Sequence, residues 1–353
     1  MFKISQRRYT GAKTKLLAQI ETCLLKHLNS FENNTNLSFF DVFAGTAVVS
    51  EYFLRHYTTI HKKPHFKHFI INDFLHSNYA IYQGFFLNAD FNAQKLEILK
   101  RDYEELKAEA LSTNYYDKSF GNLFFSQNDA RIIGYIRDNL DDLLKLGYIN
   151  QKEFYILLTS LIYSSDRIAN TVGHYDAYRK NIILEDRFKF ELISPIKTTY
   201  FVEIFKEDAN VLVKNLKQKI DVAFIDPPYN SRQYSRFYHL LETLSKNDKP
   251  KLYGIAKKPE PQNLSLYSKN EAKSVFEDLI QNLAKHSKIL LVTYNNTTSA
   301  NARSNTRMDK KQITEILNSV GKSYQYEFSY KEFQSGKTNF NNHKEMIFVC
   351  EIT

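Results

Sequence analysis

Five short apolar runs limit the folds that this chain can adopt, because each is closed by, or soon followed by, a glycine, aspartate, proline or asparagine. The runs are LSFFDVFAG (37 to 45), HFIINDF (68 to 74), YFVEIF (200 to 205), DVAFIDPP (221 to 228) and KILLVTY (288 to 294). Continuous apolar runs of this length are typical of parallel strands that are buried on both faces. The sequence therefore predicts a largely parallel, buried sheet.

Helical patterns separate these runs. In AKSVFEDLIQNLAKHSK (272 to 288) one face carries five apolar side chains, as a crossover helix lying on a sheet requires: Val275, Phe276, Leu279, Ile280 and Leu283. The alternation predicts a doubly wound, Rossmann-like α/β fold. Near the end, YEFSYKEF and EMIFVCEIT flank the polar stretch QSGKTNFNNHK. They predict an antiparallel C-terminal hairpin on the sheet edge.

The strand series stops between residues 75 and 199. This interval contains helical stretches such as NAQKLEILKRDYEELKAEAL (92 to 111) and lacks strand-helix alternation. We interpret it as a mostly helical insertion. The predicted domains are residues 1–74 and 200–353 for the two parts of the α/β domain, and residues 75–199 for the inserted domain.

Composition excludes several classes of protein. The chain has no run of about 18 apolar residues, and its first residues, MFKISQRRYTGAK, lack the apolar core of a signal peptide. We therefore expect a cytoplasmic protein without a membrane partner. Cys23 and Cys350 have no metal-type spacing, so we expect buried thiols and no metal site.

The charge balance favours a polyanionic partner. Forty-eight basic residues against 39 acidic ones leave a formal net charge of +9, and excess Lys and Arg attracts nucleic acid. The segment SSDRIANTVGHYDAYRK (164 to 180) combines arginine with interleaved aromatic residues, which suits phosphate and base contacts. A solvated lysine-rich surface and a loop packed by its tyrosines remain the alternatives.

The motif DPPYN (226 to 230) ends one of the apolar runs abruptly. Two consecutive prolines fix φ and lack N–H donors, so they cannot continue the strand. An acid, two rigid residues and an aromatic ring thus follow a buried strand, ahead of the basic stretch SRQYSR.

Two other strand ends suggest a nucleoside site. In DVFAGTAVVS (41 to 50), Gly45 allows a tight turn and close approach of a ligand to the backbone. The next run ends at Asp73, where doubly wound folds often place an acid that accepts hydrogen bonds from a ribose. Neither a P-loop nor a three-glycine dinucleotide motif is present. A nucleoside without phosphates is the better fit.

These motifs together resemble the DNA adenine-N6 methyltransferases of the D-P-P-Y type, in which the cofactor motifs precede the recognition region and the catalytic tetrapeptide. RRYTGAKTKLL (7 to 17) resembles the N-terminal motif that closes over the methionine part of the cofactor. DVFAGTAVVS resembles the F-x-G-x-G loop, and IINDF the acidic ribose motif. One position departs from the family pattern: Ala47 replaces the second glycine of the loop.

The resemblance implies a function and a set of site residues. It implies methyl transfer from S-adenosylmethionine to N6 of an adenine flipped out of double-stranded DNA, without a metal. The implied catalytic residues are Asp226, Pro227, Pro228 and Tyr229. The implied cofactor residues are Tyr9, Gly11, Lys13, Asp41, Phe43, Ala44, Gly45, Asp73, Phe74 and, less directly matched, Asp208. The candidate DNA contacts are Arg167, His174, Tyr178, Arg179, Lys180 and Arg232.

The catalytic motif suits the chemistry of an exocyclic amine. Adenine N6 is a weak nucleophile because its lone pair is delocalised into the ring. Acceptors at the Asp226 carboxylate and the Pro227 carbonyl would bind its two protons, and Tyr229 would stack on the flipped base.

Two alternatives remain open at this stage. An RNA base-amine methyltransferase uses related tetrapeptides, and a non-catalytic DNA-binding subunit could keep the same fold. The resemblance also implies a restriction-modification role, in which a separately encoded endonuclease would be a partner. The sequence identifies neither that partner nor the recognised site.

Overall fold

The computed structural model describes residues 1–28, 36–56, 66–296, 306–329 and 344–353. They fall into two units. Met1–Gly11, Leu75–Thr199 and Tyr234–Gln262 make up the first, which we call the helical unit. Ala12–Phe74, Tyr200–Gln233 and Asn263–Thr353 make up the second, which we call the sheet unit.

The described residues contain seven strands and twelve α-helices. The strands are β1 Leu37–Asp41, β2 Phe66–Asn72, β3 Phe201–Phe205, β4 Ile220–Ile225, β5 Ser287–Asn295, β6 Gly321–Ser329 and β7 Lys344–Ile352. The helices are α1 Leu17–Leu25, α2 Val48–His56, α3 His76–Phe86, α4 Ala93–Glu104, α5 Tyr115–Phe120, α6 Gln127–Lys145, α7 Gln151–Ile168, α8 Ala209–Asn215, α9 Tyr234–Phe237, α10 His239–Lys246, α11 Ala272–Ala284 and α12 Lys310–Asn318.

The seven strands form one sheet in the order β3-β2-β1-β4-β5-β7-β6. The first five strands in this order pair in parallel, and β7 runs antiparallel to both β5 and β6. The predicted parallel sheet and its antiparallel C-terminal hairpin are therefore confirmed. The hairpin joins the sheet through its second strand, β7. The polar stretch QSGKTNFNNHK that was expected to join the hairpin lies almost entirely outside the described residues.

Both faces of the sheet are covered, which explains the continuous apolar runs. Along β1, Phe39 and Phe40 point to opposite faces. Phe39 packs against Phe53 of α2, with ring centroids 4.8 Å apart, whereas Phe40 belongs to a core with residues of α8, α11 and α12. The predicted inward face of α11 is confirmed for Phe276, Leu279, Ile280 and Leu283, which are buried, and Val275 is partly buried against the same core.

The strand order places a reversal point between β1 and β4. β1 pairs with β2 on one side and with β4 on the other, and the chain winds outward in both directions from this pair. In doubly wound sheets, ligands bind outside the carboxyl ends of the strands at such a switch point. Here those ends carry Asp41 and Asp226.

In the helical unit, α3 packs tightly on the almost wholly buried helix α7. Gly84 permits this approach, because a Cβ at that position would lie 2.4 Å from Thr159 Oγ1 and 2.8 Å from the carbonyl of Tyr155. The mostly helical character predicted for residues 75–199 is observed. The pattern predicted over residues 92 to 111 ends as an α-helix at Glu104.

Two further segments pack within the helical unit, although the sequence boundaries assigned them to the α/β domain. In Tyr234–Gln262, the buried carboxylate of Glu242 accepts from the backbone N–H groups of His76 (3.1 Å) and Ser77 (2.8 Å), at the N-terminus of α3. In Met1–Gly11, the backbone N–H of Phe2 donates to the carbonyl of Leu192. Neither contact is encoded by local pattern, since both partners are distant in sequence.

Both cysteines are free and buried, as the sequence predicted. Within the described ranges, no helix has the length and apolarity that a bilayer crossing requires.

Candidate active site

A tight loop follows β1 at the switch point of the sheet unit. The backbone N–H of Val42 donates to the carbonyl of Phe224 in β4, and that of Ala44 donates to the carbonyl of Asn72, both at 2.9 Å. Gly45 then turns the chain with φ at 54°, and its N–H donates to Asp73 Oδ2 at 2.9 Å. The loop is thereby fixed to the neighbouring strands before α2 begins.

Ala47 adopts the left-handed backbone conformation that the family pattern gives to a glycine. Its φ is 58°, and its side chain is fully buried. A side chain in this region costs about 1 to 2 kcal/mol. The glycine-type turn is thus kept, and the added methyl group is accommodated inside the protein.

Asp41 ends β1 as a buried carboxyl with one unmatched oxygen. Its side chain is 1% exposed. Ser50 donates to Oδ2 at 2.7 Å, whereas Oδ1 has no hydrogen-bond partner among the described residues. Burial raises the pKa of Asp41 to about 7, against the effect of the Ser50 hydroxyl, and the charges of Asp226 and Asp73 add to the rise. A cationic or hydrogen-donating ligand would relieve this arrangement.

Asn72, at the end of β2, connects three strand ends, and sequence reasoning missed it. Its Nδ2 donates to the carbonyls of Val42 and Glu207, both at 3.1 Å, and its Oδ1 accepts from the N–H of Glu207 at 3.1 Å. A buried amide in the last position of an apolar strand was the available signal.

Asp226 follows β4 and accepts three contacts on a single oxygen. Tyr229 OH donates to Oδ1 at 2.5 Å and Thr293 Oγ1 at 2.7 Å, while Lys13 Nζ lies 2.9 Å away. Lys13 is 4% exposed and also contacts the Tyr229 hydroxyl. The carboxylate is therefore held in one orientation by donors from three separate parts of the sheet unit.

Thr293 was not predicted as a site residue. It lies near the carboxyl end of β5, the neighbour of β4, and is fully buried. A hydroxyl-bearing residue near the end of the apolar run KILLVTY was the signal available in the sequence.

The ring of Tyr229 is braced from the protein side. Tyr294 packs against it at 5.0 Å with an interplanar angle of 63°. The backbone N–H of Arg307 donates to the Tyr229 carbonyl at 2.7 Å. These contacts fix Tyr229 after the two prolines. A ring held in this way can present a flat face to a planar ligand.

Other predicted cofactor residues in the sheet unit have packing or capping roles. Phe43 contacts the edge of Tyr267 at 5.0 Å. Asp208 is the N-cap of α8 and accepts from the N–H groups of Asn210 and Val211. The carbonyl of Phe74 accepts from Asn263 Nδ2 at 3.3 Å.

The sheet unit therefore gathers most of the predicted site. Lys13, Asp41, Phe43, Ala44, Gly45, Asp73, Phe74, Asp208, Arg232 and the tetrapeptide Asp226 to Tyr229 all belong to it. The structure brings Lys13 to Asp226, a partner that its assignment to the methionine end of a cofactor did not anticipate.

Tyr9 and Gly11 belong to the helical unit. Tyr9 stacks on Tyr238 at 4.7 Å and on Tyr234 at 5.4 Å. Gly11 has φ at 86°, and a Cβ there would lie 3.2 Å from the Tyr234 hydroxyl. The positive φ favours glycine at this position, and a side chain there would also require the Tyr234 hydroxyl to shift by a few tenths of an ångström.

The predicted DNA contacts of segment 164 to 180 also belong to the helical unit. His174 stacks on Phe237 at 4.6 Å, and Tyr178 packs against the edge of Phe124 at 5.4 Å. Both rings thus have packing partners. Arg179 and Lys180 are exposed, and Arg167 forms an exposed ion pair with Glu191 at 2.6 Å.

Comparison with known proteins gives a consistent result. A family model described as D12 class N6 adenine-specific DNA methyltransferase matches residues 9–298. Type II methyltransferase M.NlaIII of Neisseria lactamica is 27% identical over 360 residues, which cover 98% of this chain and 99% of that protein. Modification methylase StsI of Streptococcus sanguinis is 29% identical over 98% of this chain and 52% of its own length. Type II methyltransferase M.CviAII of Paramecium bursaria Chlorella virus 1 is 26% identical over 97% of each chain.

Proposed function

Because the chain belongs to the D12 class of N6 adenine-specific DNA methyltransferases, we propose that it takes its methyl group from S-adenosylmethionine and acts on an adenine flipped out of double-stranded DNA. The single observation that carries this proposal is the fixed carboxylate of Asp226 at the switch point of the sheet. It is an acceptor in a position where doubly wound sheets bind ligands.

The residues after β1 and β2 fit a cationic nucleoside cofactor. Asp41 has a buried oxygen without a partner among the described residues, and Asp73 fixes the Gly45 turn. Phe43 and Gly45 would line the adenosine, and the carboxyls would face its hydroxyl and ammonium groups. When bound, S-adenosylmethionine would supply an electrophilic methyl group on a sulfonium.

The chain's own residues would prepare the nucleophile. The Asp226 carboxylate and the Pro227 carbonyl would accept the two protons of the adenine amine. This localises the lone pair on N6 and stabilises the positive charge that develops there. The two prolines keep the carbonyl rigid. An acceptor whose interaction strengthens as charge develops accelerates the reaction rather than merely binding the substrate.

Tyr229 would stack on the extruded base. Stacking on an aromatic side chain contributes about 1 to 3 kcal/mol per base in comparable sites. The contact with Tyr294 fixes the ring before the base arrives, so little ordering would remain to be done on binding.

We assign target recognition to the helical insertion, residues 75–199. A net charge of +9 favours a polyanion. The proposed DNA contacts are Arg167, His174, Tyr178, Arg179 and Lys180, with Arg232 in the sheet unit. His174 and Tyr178 would act from packed positions, and Arg179 and Lys180 from exposed ones.

The names of the relatives support a role in restriction-modification. Two are called type II methyltransferases and one a modification methylase. We propose that this chain protects DNA in a restriction-modification system and that its partner enzyme is a separately encoded endonuclease.

Labelled methyl transfer tests the proposal. Purified protein is incubated with S-adenosylmethionine and, in parallel, with duplex DNA, single-stranded DNA and structured RNA of equal nucleotide content. We expect N6-methyladenine in the duplex, with Asp226→Ala as the inactive control. Preferential labelling of RNA would replace the DNA substrate by an RNA base amine.

A further inference from the structure

A cleft of about 310 Å³ in the helical unit is lined by four arginines. Arg8, Arg167, Arg179 and Arg187 contribute to its wall, together with residues 168–171 and 182–185. Among the described residues of the lining, Glu185 is the one acidic side chain. We call this feature the arginine cleft. It lies within a single unit. Arg8 belongs to the N-terminal motif RRYTGAKTKLL, whereas Arg187 lies outside the motifs that resemble the family.

Arg8 is positioned by a buried carboxylate. Its backbone N–H donates to Asp166 Oδ2 at 3.2 Å, its guanidinium contacts the Asp166 carbonyl, and the ion pair measures 3.9 Å. Asp166 Oδ1 in turn accepts from the buried hydroxyl of Tyr175 at 2.8 Å. This chain of contacts orients one positive charge on the wall of the cleft.

Arg179 has a fixed backbone, and its guanidinium forms no hydrogen bond with the described residues. The buried side chain of Asn170 binds it on both sides: the Arg179 N–H donates to Oδ1 at 3.2 Å, and Nδ2 donates to the Arg179 carbonyl at 3.0 Å. Among the described residues its guanidinium has no hydrogen-bond partner. The backbone position of Arg179 is therefore fixed by Asn170, and its guanidinium is open to an external ligand within the described part of the chain.

Charge compensation differs among the four arginines. Arg8 and Arg167 pair with Asp166 and Glu191. In the described part of the chain, no carboxylate lies within ion-pair distance of Arg179 or Arg187; the Arg187 guanidinium donates only to the carbonyl of Ile168, at 3.3 Å. Two guanidinium groups thus remain available for an external anion.

We propose that the arginine cleft binds the DNA backbone, with Arg179 and Arg187 contacting phosphodiester oxygens. Guanidinium forks match phosphate oxygens in geometry as well as charge. The lining also includes Ile182 and Ile183, and Ile183 is 93% exposed. An apolar rim beside the arginines suits a sugar-phosphate chain better than a free inorganic phosphate. The proposal rests on the proposed function, since it takes DNA as the partner.

The test measures how DNA affinity depends on salt. Fluorescence anisotropy of a labelled duplex is recorded at several salt concentrations for the wild type and for the double variant Arg179→Gln/Arg187→Gln. The control is Arg101→Gln/Lys107→Gln, which removes the same charge from exposed positions of the same unit outside the cleft. The slope of log affinity against log salt is negative, and each lost phosphate contact should make it less steep by about 0.9.

We expect the slope of the cleft variant to be less steep by the amount of about two phosphate contacts. The change should be the same on duplexes with and without the methylated sequence. The control should keep the wild-type slope. A wild-type slope in the cleft variant would overturn the proposal, and so would an equal reduction in the control. The single variant Arg179→Gln provides a second reading, with half the reduction. Wild-type methylation of the same duplex is scored separately, and only its absence counts against the proposed function.

Discussion

The ammonium of Lys13 lies 2.9 Å from Oδ1 of Asp226, on the oxygen that Tyr229 and Thr293 also bind. Lys13 begins a short 3-10 helix that precedes α1, whereas Asp226 follows β4. The pair compensates a carboxylate that is only 17% exposed. It also means that the proposed catalytic acceptor already carries a cation before any amine arrives.

A double-mutant cycle measures this pair. Lys13→Met and Asp226→Asn are combined, and the free energy of unfolding is taken from urea denaturation. Removing one partner leaves the other uncompensated in a largely buried site, so we expect a coupling energy of about 1 to 3 kcal/mol.

The exposed pair Lys310 and Glu327, 2.8 Å apart in the same unit, supplies the control for this cycle. Lys310→Met with Glu327→Gln should give a coupling below about 1 kcal/mol, because solvent screens exposed pairs. Equal coupling in the two cycles would show that burial does not strengthen the active-site pair.

Ala47→Gly should cost less stability than a glycine substitution normally does at a buried alanine. The left-handed conformation at φ 58° costs about 1 to 2 kcal/mol for a residue with a Cβ. Relief of that strain offsets the lost methyl group and the added chain entropy. Ala223→Gly in β4, also fully buried, lacks this relief. Urea denaturation should separate the two variants by about 1 to 2 kcal/mol, and identical losses would contradict the strain at Ala47.

Asp41→Asn should flatten the pH dependence of stability. The folded-state pKa is raised from 3.8 to about 7 by burial, so the native state binds the proton more tightly than the unfolded chain does. Stability should therefore fall as pH rises from about 4 to about 7, by up to about 1.4 kcal/mol per pH unit from this group, and then level off. Thermal denaturation without cofactor across this range should show a shallower fall in the variant. Superimposable profiles would mean that Asp41 titrates normally.

Two variants of Tyr229 distinguish the contribution of its stacking ring from that of its hydrogen bond. Tyr229→Phe keeps the flat ring but removes the 2.5 Å bond to Asp226, so it should retain much of the activity. Tyr229→Ala should lose about 1 to 3 kcal/mol of flipped-base stabilisation. Fluorescence of 2-aminopurine at the target position reports extrusion of the base directly. An alanine variant that extrudes and methylates as well as the wild type would remove Tyr229 from the base site.

The parallel sheet could be predicted because its strands are buried on both faces and therefore appear as continuous apolar runs. The hairpin followed from two strand-like runs without a helical pattern between them. The position of β7 next to β5 was not predicted, although β7 is the continuous apolar run of the pair and β6 alternates polar and apolar residues. The sequence shows that Ala47 replaces a glycine of the family pattern. It does not show which backbone conformation the alanine adopts, so the positive φ at this position could not be predicted.

The contacts that complete the site were harder to predict because they depend on tertiary structure. Thr293 and Lys13 reach Asp226 from β5 and from the N-terminal region, and no local spacing encodes this. Glu242 illustrates the same limit in the helical unit. Its carboxylate accepts hydrogen bonds from the N-terminus of α3. Residues 234 to 262 therefore pack in the helical unit, although the sequence-based boundaries assigned them to the α/β domain.

Asp226 is the proposed acceptor for the adenine amine, and single-turnover methyl transfer tests this role directly. Asp226→Ala is compared with the wild type at saturating S-adenosylmethionine and duplex DNA, and the affinity for DNA is measured on the same samples. Because the interaction strengthens mainly in the transition state, the rate constant should fall by several orders of magnitude while DNA affinity changes little. A variant that transfers methyl groups at close to the wild-type rate would contradict the assignment of this strand end as the catalytic site.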